Sequence, residues 1–378
     1  MHAPASLDEA AALLHELAGR ERTVGITGGE RPGGPAAVAV DEVVSTRALD
    51  AIVEYVPADQ IVTVQAGVTV ARLQAALRER RQRLSLDPPV PERTTIGGAV
   101  ACASYGPLRT RYGTAKDAIV GMSIVRADGV PARGGGKVVK NVAGFDIPKL
   151  MVGTYGTLAM IGTVTFRLHP LPAASSEVIV NGCTLGDLRS LVHAIIAAQL
   201  EPSAIYATYD ATGYACCVRF EGFPEGVKAQ RDALLALAKR DASEGSLEAD
   251  HERARAAGSL QVKITVPPSA IEELHAQAVS PLYRALDGAH AAIYPTVCAA
   301  FVSGEAGDGA GVLSALTAAR TFAERSGGNL VTLEAPSMIR ASFDSWGTPP
   351  PSYKLMRALK ARFDPKNRLN PGGFVGGL

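Results

Sequence analysis

Glycine is the residue type through which this sequence first offers a chemistry. Backbone N–H groups in glycine loops can converge on phosphate oxygens because no side chain blocks the approach. Glycines gather at Thr27-Gly28-Gly29, Gly33-Gly34, Gly97-Gly98, Gly153 to Gly156, and Gly372 to Gly377. They make up 39 of 378 residues, against roughly 7% in ordinary proteins. A cofactor carrying a diphosphate suits such clusters, and tight turns without a ligand are the alternative for any one of them. The G-x-G-x-x-G fingerprint is missing after Ile26, and no G-x-x-x-x-G-K-[ST] occurs, so a Rossmann domain and a P-loop are both disfavoured.

Other chemistries find less support. His2, His15, His169, His193, His251, His275 and His290 are scattered singly, without ligand spacing. Cys102, Cys183, Cys216, Cys217 and Cys298 are odd in number and contain no C-x-x-C, so a disulfide framework and a cysteine metal site are not expected, and a reducing cytosol fits best. Cys102 is expected to be a small buried hydrophobe. Arg109 and Arg111 could grip a phosphate or carboxylate through the guanidinium fork, or form surface ion pairs. A net charge of +1 removes the footprint of a polyanion binder. No run of 18 apolar residues and no basic, apolar N-terminus occur, so neither a membrane span nor a secretion signal is expected.

The elements that would carry these residues fall into three stretches. Ser6 to Glu9 reads as a capping box opening an amphipathic helix with Ala10, Leu13, Leu14 and Leu17 on one side. Strands follow near Val24–Ile26, Ala37–Val40 and Ile61–Ala66, then a helix from Thr69 to about Arg83 whose basic face is ordinary solvated surface. Thr94 to Tyr105 is almost wholly small residues and lets another group approach the backbone. Ile119–Arg126 and the residues to Ala132 suggest a hairpin around Asp128-Gly129. A helix from Asp146 to Met151 and a long strand to Leu168 come next. His169 to Pro172 closes a first domain, residues 1–172. Residues 173–345 then alternate strands near 177, 204, 214, 260, 292 and 329 with helices, an α+β layer with an antiparallel sheet, few interior polar clusters and no internal repeat. Asp241 to Ala257 is expected to be a surface helix with a loop.

Taken together, Thr27-Gly28-Gly29, Val62 to Gly67, Thr95-Ile96-Gly97-Gly98, Tyr112-Gly113 and Gly153 to Leu158 resemble, in this order, the PCMH-type FAD-binding domain of the vanillyl-alcohol oxidase superfamily. Lys140 to Asp146 and the tail from Phe363 to Leu378 are similar to the FAD-binding E subunits of bacterial glycolate oxidases. The resemblance implies an α+β protein. Two α/β subdomains form the FAD domain, an antiparallel-sheet ferredoxin-like cap follows, and a C-terminal segment, 346–378, returns to the FAD domain. It implies that Thr27, Gly28 and Gly29 receive the FAD diphosphate, with Thr95, Gly97 and Gly98 along the diphosphate and ribityl chain. Ser104, Arg109, Tyr112 and Gly113 would continue that wall. Gly153, Gly156 and Thr157 would sit near the flavin or its adenosine arm, Ile161 would offer backbone bonds to a base, and Asn370 would meet the pyrimidine edge. Glu30 stands where relatives often carry Ser, Thr or Asn, and must point away from the diphosphate or pair with Arg31. No His or Cys stands in that loop, so the FAD is expected to be noncovalent.

Oxidising a 2-hydroxy acid needs a base or metal for the hydroxyl proton and a cation for the carboxylate. Catalytic relatives carry paired histidines and a Glu in the cap domain, whereas His290 to Phe301 here holds one histidine and no carboxylate. A metal site is therefore not expected, His290 reads as structural, and the catalytic residues stay unassigned. The resemblance implies an FAD-containing oxidoreductase subunit that works with a catalytic flavin D subunit and an iron-sulfur F subunit on glycolate. It would be cytoplasmic, or at the inner face of the cell membrane through the complex. A self-sufficient FAD-dependent dehydrogenase of a hydroxy acid or alcohol, and an assembly subunit with structural FAD, are the alternatives.

Overall fold

A computed structural model describes residues 1–29, 39–136, 145–210, 212–307 and 309–378. The chain divides into two compact units, one of residues 1–106, 112–171 and 348–378, the other of residues 107–111 and 172–347.

In the first unit the helix Leu7–Gly19 starts where Ser6 Oγ accepts the Glu9 N–H at 3.1 Å. It buries Ala10, Leu14 and Leu17 against Val24, Val44, Leu49 and Leu369. Val24–Thr27 pairs in parallel with Glu42–Ser45. Of the strand expected at 37–40, residues 37 and 38 lie outside the described residues and Ala39 and Val40 belong to no strand, and Val24–Thr27 finds its partner a few residues later. A five-stranded antiparallel sheet runs in the order Ile52–Val56, Ile61–Gln65, Ala159–Arg167, Ile119–Arg126, Pro131–Gly135. Its hairpin turns at Gly129, which adopts φ +82°.

The helix expected from Thr69 to Arg83 is shorter, Val70–Arg78. Arg81 turns at φ +53°, and Gln82-Arg83 pairs with His169-Pro170 as a short antiparallel ladder. The cause is Gln82, whose Oε1 accepts the Tyr55 hydroxyl and whose Nε2 donates to the Pro57 carbonyl, both at 2.8 Å. A buried amide with both ends satisfied outweighs one more helical turn.

The second unit holds one antiparallel sheet of eight strands, in the order Ala242–Glu244, Ala174–Cys183, Gly213–Gly222, Ala204–Asp210, Asp287–Tyr294, Ala299–Glu305, Leu260–Thr265, Asn329–Glu334. Its first four strands, with helices Leu185–Ala197 and Pro224–Leu237, form a ferredoxin-like βαββαβ unit. The last four repeat that order around the helical segment 271–285 and the helix Ala310–Arg325. The six expected strands thus become eight, and Ala242–Glu244 and Ala299–Glu305 each complete one half. A repeat of topology exists without a repeat of sequence.

These helices cover one face of the sheet and bury Leu188, Ile195, Leu234, Leu274, Leu282 and Leu316 with Val218, Ile205, Ile293 and Val302. The opposite face carries the helix Glu248–Ala256, whose His251, Ala254 and Arg255 are buried. Asp241 to Ala257 is therefore an edge strand and a seated helix, and polar groups cluster beneath it. Among the described residues no helix is long and apolar enough to cross a membrane.

Candidate functional site

The glycine loops of the first unit meet through backbone contacts. Thr27 ends the parallel strand, its carbonyl accepts the Thr46 N–H at 2.8 Å, and its Oγ1 donates to the Gly29 carbonyl at 3.0 Å. Thr95 caps the short helix Ile96–Ala101 through a 3.2 Å bond from the Gly98 N–H, and the Gly97 N–H donates to the Ala66 carbonyl at 2.8 Å. A Cβ on Gly28 would stand 2.3 Å from Thr95 Oγ1, and one on Gly97 would stand 2.8 Å from Ala66 Cβ. The two loops pass each other where any side chain would intrude, while nothing stands within 4 Å of a Cβ placed on Gly29. A close contact of this kind with the open Gly29 beside it leaves room for a diphosphate at the first loop.

The loop Gly153–Thr157 docks on the same short helix. The Gly153 N–H donates to the Val100 carbonyl at 3.1 Å, and the Tyr155 N–H to the Ala101 carbonyl at 2.9 Å. Ser104, half-buried just beyond that helix, donates its N–H to the Ala99 carbonyl at 2.8 Å. Tyr155 stacks on Phe374 with ring centroids 5.6 Å apart, and burial, with Cys102 nearby, pushes its phenol well up. Cys102 is half-buried rather than buried. Gly156 takes φ +70°, and a Cβ there would lie 2.7 Å from Asn370 Nδ2.

Asn370, 4% exposed, joins this loop to the first one. Its Oδ1 accepts the Ile26 N–H at 2.8 Å, and its Nδ2 donates to the Tyr155 carbonyl at 2.6 Å. The amide expected at the flavin's pyrimidine edge is thus committed to two backbone groups. Thr157 is buried, with its hydroxyl on the Thr154 carbonyl at 2.7 Å.

Four expected residues stand apart from this cluster. Ile161 lies in the core opposite Ile124. Tyr112 accepts a 2.7 Å bond from Arg83, whose guanidinium sits 5.1 Å over its ring, and it packs on His169. Gly113 faces Asp117, which closes a capping box with Thr114. Arg109 falls in the 107–111 segment that groups with the second unit. There Arg111 pairs with Glu201 at 3.3 Å, the surface ion pair foreseen as one alternative. Glu30, Arg31, Gly33, Gly34 and the segment 140–144 lie outside the described residues.

Sequence reasoning missed Thr46, Tyr155, Lys360 and Asp364. Lys360 Nζ donates to the carbonyls of Thr157 and Leu369 and to Asp364. Burial pulls its ammonium below the ordinary lysine value, and the Asp364 carboxylate opposes that pull. Among the described residues no group of three or more His, Cys, Asp or Glu could hold a metal ion. His290 is half-buried opposite Ser303, and burial holds its imidazole below the usual value.

Comparison with known proteins bears on these loops. Residues 1–134 match the family model described as FAD binding domain, and residues 346–373 match that of the FAD linked oxidases, C-terminal domain. The chain is 35% identical over 186 residues to the glycolate oxidase subunit GlcE of Escherichia coli, covering 48% of this chain and 51% of that protein. It is 27% identical to the glycolate oxidase subunit GlcD of Bacillus subtilis, covering 82% of this chain and 74% of that one. A D-lactate dehydrogenase of Archaeoglobus fulgidus is 32% identical over 53% of this chain and 45% of its own length. The chain thus spans about half the length of the E. coli and Archaeoglobus proteins. A solved alkyldihydroxyacetonephosphate synthase shares the fold, with TM-score 0.73 and 19% identity over 98% of this chain and 76% of that one.

Proposed function

From a chain whose residues 1–134 match an FAD binding domain, we propose the FAD-binding subunit of a glycolate oxidase complex. It would act with a catalytic flavin subunit and an iron-sulfur subunit to oxidise glycolate to glyoxylate. The observation that carries the reading is the apposition of Gly28 and Thr95, where a Cβ would come within 2.3 Å, inside the segment matching the FAD binding domain. The similarity to a GlcE subunit supports the choice of complex.

When bound here, FAD would supply a two-electron redox centre for the electrons released as the catalytic subunit oxidises glycolate. Thr27, Gly28 and Gly29 would hold the diphosphate, Gly97 and Gly98, whose N–H groups are already paired, would border it without side chains in the way, and Gly153 to Thr157, kept in place by Asn370, would form the wall beside it. FAD is proposed to be held without a covalent bond.

Purifying the chain alone and recording its visible spectrum tests the reading. A flavin band is expected, and acid or urea should release all of that flavin into the filtrate. A protein that takes up no flavin, even when refolded with FAD, overturns it. Similarity to a D-lactate dehydrogenase over 53% of this chain favours a second reading, a self-sufficient FAD-dependent dehydrogenase of a 2-hydroxy acid or alcohol. That reading requires the isolated holoprotein to bleach anaerobically with the hydroxy acid alone. The first requires bleaching only when the two other subunits are present.

A further inference from the structure

The helix Tyr353–Phe363 and the turn after it carry a buried ion pair. Lys360 and Asp364 are 5% and 1% exposed and meet at 2.7 Å. The ammonium has three donors, and three acceptors answer them: the Thr157 carbonyl at 2.7 Å, Asp364 Oδ2 at 2.7 Å and the Leu369 carbonyl at 2.9 Å. The same Asp364 oxygen accepts the Leu369 N–H at 2.8 Å. The backbone then continues the chain of contacts. The Val24 N–H donates to the Arg368 carbonyl, and the Asn370 N–H to the Val24 carbonyl, each at 2.8 Å. Asn370 bridges Ile26 and Tyr155.

Desolvation offsets most of what a buried ion pair contributes to stability, so an apolar pair of the same volume would anchor the helix as well. What an apolar pair lacks is direction. An ammonium with three fixed acceptors sets the Thr157 carbonyl relative to Leu369, and Leu369-Asn370 are fixed in turn to the strand that enters the first glycine loop. We propose that Lys360 and Asp364 are positioning residues that hold the Gly153–Thr157 loop and the Thr27–Gly29 loop at the spacing FAD requires. This role rests on the FAD reading above and is exerted through backbone groups.

Lys360→Met keeps the length of the stem and removes the donors. Asp364→Asn keeps an acceptor for Leu369 and removes the charge. Two measurements on the full chain test the proposal: FAD titration of flavin-free protein by fluorescence quenching, and amide hydrogen exchange of the flavin-free protein. For Lys360→Met the dissociation constant should rise at least about tenfold, with a smaller rise for Asp364→Asn. Exchange should quicken at least about tenfold in peptides covering 24–29 and 153–157, while the strands Ile119–Arg126 and Ala159–Arg167 keep wild-type protection. FAD affinity within about twofold of wild type in both variants overturns the proposal. So does a loss of protection spread evenly over the whole unit in both, which is a purely structural effect. If the wild-type chain takes up no FAD, the cofactor reading fails by itself. The exchange pattern then decides the spacing role: a local rise supports it, and an even or absent one overturns it.

Discussion

Lowering the pH should destabilise the second unit through one histidine. His251, 3% exposed, sits beneath the helix Glu248–Ala256 with its Nε2 2.6 Å from the Tyr294 hydroxyl and its ring 4.5 Å from that of Tyr206. Glu252 lies 3.7 Å from Nδ1, but burial dominates, and the Arg255 and Arg219 cations add to it, so the imidazole is pushed down to about 2. Its ordinary value is about 6.5, so below that pH the unfolded chain takes up a proton that the folded one refuses. Stability is therefore full above pH 6.5 and is lost as the pH falls towards 2. From pH 7.5 to 5 the loss is about 2 kcal/mol, at 1.36 kcal/mol per pH unit. That is a sizeable share of the 5–15 kcal/mol that holds a typical domain.

The assay is urea unfolding of flavin-free protein at pH 7.5, 6.5 and 5, followed by the fluorescence of Trp346, the one tryptophan of the chain, which lies in this same unit. His251→Phe supplies the reference. It removes the hydrogen bond between His251 and the Tyr294 hydroxyl and so costs about 0.5–1.5 kcal/mol at every pH. That cost cancels in the difference between two pH values, as do the contributions of His275 and His290, whose imidazoles are also held low by burial. The variant should lose about 2 kcal/mol less than wild type between pH 7.5 and 5. Equal losses in the two proteins, within about 0.5 kcal/mol, would refute the reasoning and mean that His251 is hydrated or protonated in the folded state.

The glycine contact and the buried thiols give two more expectations. In Gly28→Ala the added methyl overlaps Thr95 Oγ1, which already caps Gly98. The cap must yield, at about 1–3 kcal/mol, and FAD affinity measured by titration should fall at least about tenfold; wild-type affinity would mean the two loops do not frame the cofactor. Burial raises the thiols of Cys183, Cys216, Cys217 and Cys298, that of Cys217 up to about 12. Iodoacetamide at pH 8 should therefore leave these four unmodified until urea opens the unit, as read by peptide mass spectrometry; rapid labelling of the native protein would contradict their burial.

What the sequence made legible was local. The Ser6 cap, the alternation in the long strands and the clustering of glycines at 28–29, 97–98 and 153–156 are each read from neighbours a few residues away. The second strand of the last hairpin stayed hidden because its turn, Pro295 to Cys298, has no glycine or asparagine in it: the left-handed position is filled by Cys298, at φ +51°, so Asp287–Tyr294 and Ala299–Glu305 merge into one apolar stretch. Without that strand the tandem βαββαβ order cannot be counted out, and the polar cluster around His251 has no face to lie on. Lys360 and Asp364 were hidden differently. An i,i+4 pair of opposite charge is what a solvated helix face ordinarily shows, and only the burial of the last turn turns it into a fixed donor set.

Asn370 was legible as a residue of interest, because the tail resembles that of a flavoprotein family, yet its bonds were not. Its partner Ile26 lies 344 positions away, and no local pattern announces a side chain that joins two backbone segments from opposite ends of the chain. The consequence is mechanical. On the proposed reading the glycines would open the backbone to a diphosphate, but glycine loops do not fix their own separation, since the freedom that would admit the ligand also lets each loop wander. Something outside the loops must hold them, and in this unit the C-terminal segment does so through one amide and one ammonium.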